Sequence, residues 1–166
     1  MLRCFEFLLA IALFGPATQP KSAPLKTHIY PSPDSRLRAV FHLAEKTGGD
    51  DVLTISTSSG KRISWQSFSS DENHGRLFVR GSWTPDSQFF VWSMENAGGH
   101  SPWNWPTFFF SRRSRMISQL DRYVGGITSS DFTIRAPDVV QGTRLERKTG
   151  KSVGFSVHLS KLKHEL

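Results

Sequence analysis

The 166-residue chain has a single cysteine, Cys4. It lies ahead of the first apolar run, whereas a lipid-bearing cysteine would follow it, so lipid anchoring is rejected. Everything beyond residue 17 has no cysteine at all, which excludes disulfides and thiolate metal sites there. No Asn-X-Ser/Thr acceptor occurs, since Asn73, Asn96 and Asn104 all have the wrong followers. No apolar run is long enough to cross a ~30 Å hydrocarbon core, so a transmembrane segment is not expected. Histidines 28, 42, 74, 100, 158 and 164 never stand at His-X-His or i, i+4 spacing, so no metal is expected. There is no Gly-X-Ser-X-Gly elbow, and Gly98-Gly99 and Gly125-Gly126 lack the Lys-Ser/Thr of a phosphate loop. No cofactor follows from any of this.

What the chain does have is apolar and basic. Thirteen Phe and five Trp exclude a disordered chain, and a charged fraction of 21% excludes a long solvated coiled coil. The length fits one domain. Lys and Arg number 21 against 14 Asp and Glu, a formal net charge of +7.

The N-terminus reads as a secretory signal. Arg3 is followed by the run Phe7–Phe14, the breaker Gly15-Pro16 and small Ala17. Residues 1–17 are the expected signal peptide, 18–27 a flexible leader carrying Pro20 and Pro24, and 28–166 a single mainly-β domain. Removing the signal takes out Arg3 and Glu6 together and keeps +7. Export without disulfides points to a periplasmic or secreted protein. The terminal Lys163-His164-Glu165-Leu166 supports a different reading, an ER-lumen resident.

From residue 28 the apolar pattern alternates or comes in short runs between turns. Arg36–Leu43, Asp51–Thr57, Arg62–Trp65, Arg76–Val79, Gln88–Met94 and Thr107–Phe110 are the expected strands. Met116–Val124 has apolar residues at helical spacing, and is read either as one short helix or as a strand to Ile117 with a helix from Ser118. Phe132–Ile134 and Val153–Leu159 read as closing strands around a polar loop, Gln141–Lys151. The fold class is mainly antiparallel β with at most one or two short helices.

Two segments repeat. Ser32-Pro33-Asp34-Ser35 and Thr84-Pro85-Asp86-Ser87 lie 52 residues apart, each ahead of an apolar strand. Ile55–Ile63 then matches Phe109–Ile117 at a spacing of 54. Proline sets the first turn dihedral and aspartate caps the amides that follow. A further Pro137-Asp138 lies another 52 residues on, but Val139–Gly142 does not continue the pattern, so it is read as coincidence or a decayed copy.

These units, about 28–68 and 76–124, resemble blades of the β-propellers of the Tol-Pal translocation protein and of prolyl oligopeptidases. In those families a Ser-Pro-Asp-Gly turn leads into an apolar strand. The resemblance covers roughly half of the expected mature chain, and Ser35 and Ser87 replace the family's glycine. It implies blade-like sheets. Because ~4 blades is the usual minimum for closure, it also implies an open or sandwich-like arrangement, or an oligomer.

The candidate binding residues fall in two places. The Gly- and Pro-punctuated segment 96–106 joins two strands and carries His100, Trp103, Asn104 and Trp105, which either stack on a partner or plug the open end of the sheet. The turn Arg112-Arg113-Ser114-Arg115 is the longest basic cluster, and it suits an anionic envelope polymer or is simply a solvated hairpin turn. Neither carries the pattern of a specific nucleic-acid reader. The expected function is therefore binding, without catalysis, of a protein or anionic polymer. The alternative is a glycan-active enzyme or accessory using carboxylates near the Trp segment, Glu95 and an acid such as Asp86, with two carboxylates ~5–10 Å apart.

Overall fold

The computed structural model describes residues 26–43, 51–68, 75–96 and 104–162. These form three antiparallel sheets, each a simple meander in chain order. The first holds β1 (Thr27–Pro31), β2 (Leu37–His42), β3 (Val52–Thr57) and β4 (Arg62–Ser67). The second holds β5 (Arg76–Trp83), β6 (Phe89–Asn96), β7 (Thr107–Ser111) and β8 (Met116–Gln119). The third has three strands, β9 (Thr133–Arg135), β10 (Val139–Leu145) and β11 (Ser152–His158). None closes into a barrel.

The sheets stack face to face, with the second in the middle. On β2, Leu37, Ala39 and Phe41 are buried while Arg38 is exposed, the alternation of a sheet with one covered face. β6 is different, because Phe89 to Met94 are all buried. Phe90, Trp92 and Met94 join Phe41, Leu53 and Ile55 in the core shared with the first sheet, together with Phe108 and Phe110 of β7. Phe89, Val91 and Phe109 point the other way, into a core with Val140 of the third sheet and with Phe132 and Leu159, which flank its strands. Unbroken apolar runs in β6 and β7 thus follow from burial on both faces. Aromatic packing fills the first core, with Phe41 stacked on Phe78 at 3.9 Å between centroids and Trp92 stacked on Phe108 at 5.6 Å.

Polar contacts tie the layers. The Trp83 indole N–H donates to the Tyr30 carbonyl at 2.8 Å, and the Phe78 amide donates to the carboxylate of buried Asp51 at 2.6 Å. Asp51 is therefore a structural acceptor. Burial raises the Tyr30 hydroxyl pKa.

The segment 116–124 divides, with strand β8 to Gln119 and a single helical turn α1 (Asp121–Val124). The strand reading is corrected at the polar stretch 141–151 and at β1, which was not among the expected strands. β10 runs on through Gln141 to Leu145, pairing with Ser152 to His158. Its Gly142, Thr143 and Arg144 hide the strand from a hydropathy pattern, because the backbone ladder and the small Gly142 packing under Phe155 place it there. β1 begins at Thr27, inside the expected leader.

Candidate functional site at the Pro-Asp turns

The two Pro-Asp turns share one set of hydroxyl and carboxylate bonds. In the first, the Ser32 hydroxyl donates to Asp34 Oδ1 at 2.7 Å and accepts the Leu37 amide at 3.0 Å, while the Arg36 amide donates to the same carboxylate oxygen at 3.1 Å. In the second, the Thr84 hydroxyl donates to Asp86 Oδ1 at 2.5 Å and accepts the Phe89 amide at 3.0 Å, and the Gln88 amide donates to Asp86 Oδ1 at 3.0 Å. Ser35 and Ser87 both take the left-handed conformation, at φ 56° and 61°. Each turn joins the first two strands of its sheet.

Pro137-Asp138 sits at the corresponding place in the third sheet, between β9 and β10. Its bonds differ. Ala136 and Val139 have no hydroxyl to offer, and the Asp138 carboxylate instead accepts the Ser160 amide at 2.7 Å and meets His158 Nδ1 at 3.0 Å. Burial works to raise the Asp138 pKa, but the bonds from Ser160 and His158 outweigh it and hold the carboxyl below its usual range.

The three turns lie at one end of the stack. Between the first two the fit is closed. The Asp34 amide donates to Ser87 Oγ at 3.0 Å, and Arg112, from the β7–β8 turn, donates to Asp34 Oδ2 at 2.6 Å. The Arg112 guanidinium and the Ser32 hydroxyl hold the Asp34 carboxyl well below the usual carboxylate range. Between the second and third turns the structure is open. A cavity of about 570 Å³ is walled by the apolar Phe89, Pro137 and Leu162 and rimmed by Asp86, Gln88 and Arg113. Ser111, Ser114, Asp138 and Ser160 complete it. Its volume lies within the ~300–1,000 Å³ of small-ligand sites.

The expected binding residues separate into three groups. Arg113 lines this cavity, Arg112 is held in its ion pair with Asp34, and Arg115 is exposed at a positive φ of 60°. Asn104 and Trp105 are at the far end of β7, on the order of 15 Å from the basic turn at ~3.3 Å per residue. Asn104 and Trp105 are thus not brought beside the basic turn. Asn104 is exposed, whereas Trp105 packs half-buried against the core of the second and third sheets, its amide donating to the Ile127 carbonyl at 2.9 Å. His100 and Trp103 lie outside the described residues.

Asp86 precedes β6 and Glu95 lies near its far end, with residues 89–94 of strand between them, on the order of 20 Å. They cannot flank one glycosidic bond, which needs carboxylates within ~10 Å. The cavity residues missed by pattern reading were Gln88, Ser111, Asp138, Ser160 and Leu162. The third Pro-Asp pair, at its 52-residue spacing, was the signal that pointed to them.

Among the described residues no group of three or more His, Cys, Asp or Glu could hold a metal ion, and no helix is long and apolar enough to cross a membrane. No family model, curated protein or solved structure matches the chain.

Proposed function

We propose that the chain is an exported, non-enzymatic binding protein whose ligand site is the cavity between the second and third Pro-Asp turns. The observation that carries this reading is an open site of about 570 Å³ bearing Asp86 and Arg113, neither of which forms an ion pair among the described residues. Charged groups left without an ion-pair partner beside apolar walls suit a ligand that presents both polar and apolar surface. Export rests on the apolar run and small-residue exit of residues 1–17. Likeness to propeller blades is supported by the bonds the two turns share and by the matching order of the first two sheets. The KHEL terminus, which favours the ER lumen instead, lies outside the described residues.

The test is a saturation-transfer NMR screen of N-acetylated amino-acid amides against the wild type and Ser160→Trp, whose indole fills the cavity. At least one amide is expected to bind the wild type and to lose its signal with the variant, which keeps its unfolding midpoint. Absence of binding, or equal binding to both proteins, refutes the cavity as the site.

A further inference from the structure

The internal repeat supplies a template for what the cavity holds. Asp34 and Asp86 are equivalent, and in each Oδ1 is used by the turn itself. Their second oxygens differ. Oδ2 of Asp34 takes the guanidinium of Arg112, the residue that follows β7, the third strand of the neighbouring sheet. The third strand of the next sheet is β11, and it is followed by the one-turn segment Leu159–Lys161, where Ser160 faces the cavity. No arginine stands in the equivalent place. Oδ2 of Asp86 has no partner among the described residues, and Asp86 is one of the residues that line the cavity.

We infer that the cavity takes the guanidinium of an arginine side chain from a partner peptide, seated on Asp86 as Arg112 is seated on Asp34. The inference rests on the binding reading above and names its ligand class. Chemistry at the site agrees with it. An arginine is an apolar stem with a planar cationic head, and the cavity offers Phe89, Pro137 and Leu162 to the stem. The head meets a carboxylate already oriented by its turn, so little side-chain freedom is lost when the pair forms. Asp138 does not compete for the head, because its two oxygens are taken by His158 and Ser160. Arg113 is exposed on the rim, where water and salt screen its repulsion.

The probes are N-acetyl-arginine amide, its neutral isostere N-acetyl-citrulline amide, and N-acetyl-glutamate amide, titrated into the full chain and followed by amide chemical shifts. The arginine amide is expected to bind about tenfold more tightly than citrulline, the order of a charge-assisted bond gained. Asp86→Asn keeps the Oδ1 acceptor of the turn, so its unfolding midpoint should hold while arginine affinity falls about tenfold. Arg113→Gln removes a like charge from the rim and should raise arginine affinity. Equal binding of citrulline, or an Asp86→Asn protein that binds arginine normally, overturns the arginine assignment and leaves the cavity as a binding site. Preference for glutamate that disappears with Arg113→Gln overturns it too, in favour of an anionic ligand. Failure of all three amides to bind overturns the arginine assignment, and the wider amide screen above then decides whether the cavity stands as a site.

Discussion

The backbone N–H of Asp34 donates to the Oγ of Ser87 at 3.0 Å, across 53 residues of sequence. This contact explains a residue that turn chemistry alone disfavours. Ser87 holds φ 61°, a conformation that glycine enters without steric cost and other residues enter at ~1–2 kcal/mol. Glycine there would relieve the backbone and lose the hydroxyl that docks the first sheet onto the second. Ser35 has the same φ region without such a bond among the described residues. Ser87→Ala is expected to lower stability by about 1 kcal/mol, the worth of an ordinary hydrogen bond. Ser87→Gly should lose less, because strain is released as the bond is lost. Ser35→Gly should be neutral or raise stability by up to ~1 kcal/mol. Urea midpoints check the order, and Ser87→Gly more stable than Ser35→Gly would contradict it.

Acid should act on the first junction late. The folded state holds the Asp34 carboxyl far below its unfolded value, so its contribution is complete above the unfolded pKa of about 4 and is lost only as the pH falls through the folded one. Asp34→Asn removes that dependence. The stability gap between wild type and Asp34→Asn should therefore narrow steadily below about pH 4, as read from urea midpoints at a series of pH values. A gap that stays constant into strong acid would show that Arg112 and Asp34 do not interact in solution.

Gly81 marks a close approach between β5 and the first core. A Cβ built there would lie 2.6 Å from Cζ of Phe90, a ring that is fully buried. Gly81→Ala should cost ~1–3 kcal/mol, as overpacking does elsewhere. Gly126→Ala meets nothing within 4 Å and should change stability by less than ~0.5 kcal/mol. Thermal unfolding of the two variants separates them, and equal midpoints would mean the β5–Phe90 packing is looser than described.

At the far end of the stack, Asp121 accepts the Thr107 amide at 2.9 Å and the Ile127 amide at 3.3 Å, and burial raises its pKa. Asp121→Ala leaves both amides unpaired and is expected to cost ~1–3 kcal/mol. Trp105→Ala, which removes a half-buried ring from the second core, should cost about 2 kcal/mol, below the ~3–5 kcal/mol of a fully buried tryptophan. Asn104→Ala is exposed and should be neutral. A neutral Trp105→Ala would return that ring to the pool of binding residues.

How far the sequence carries depends on which physical signal each element leaves. The Pro-Asp turns were readable because a four-residue motif sets its own hydrogen bonds. β2 and β3 were readable because one covered face imposes alternation. The runs in β6 and β7 marked buried strands, yet that each needs a partner sheet on both sides became visible only when Phe90 and Phe89 were seen in different cores. β10 was missed because a short ladder between β9 and β11 places Gly142, Thr143 and Arg144 without apolar periodicity. The cavity was hidden for a comparable reason. It forms where the third sheet lacks an arginine that the second sheet has, and an absent residue leaves no motif.

The central claim is that ligand enters at the Pro-Asp end of the stack, and an amide-shift map of the ¹⁵N-labelled chain saturated with N-acetyl-arginine amide tests it most directly. The shifts are predicted to cluster at Asp86, Gln88, Phe89, Ser111, Ser114, Asp138, Ser160 and Leu162, all of which line the cavity. Asn104, Trp105 and the outer strand β1 should stay unmoved. A map centred on Asn104 and Trp105, or spread evenly over the exposed basic surface, would contradict the account.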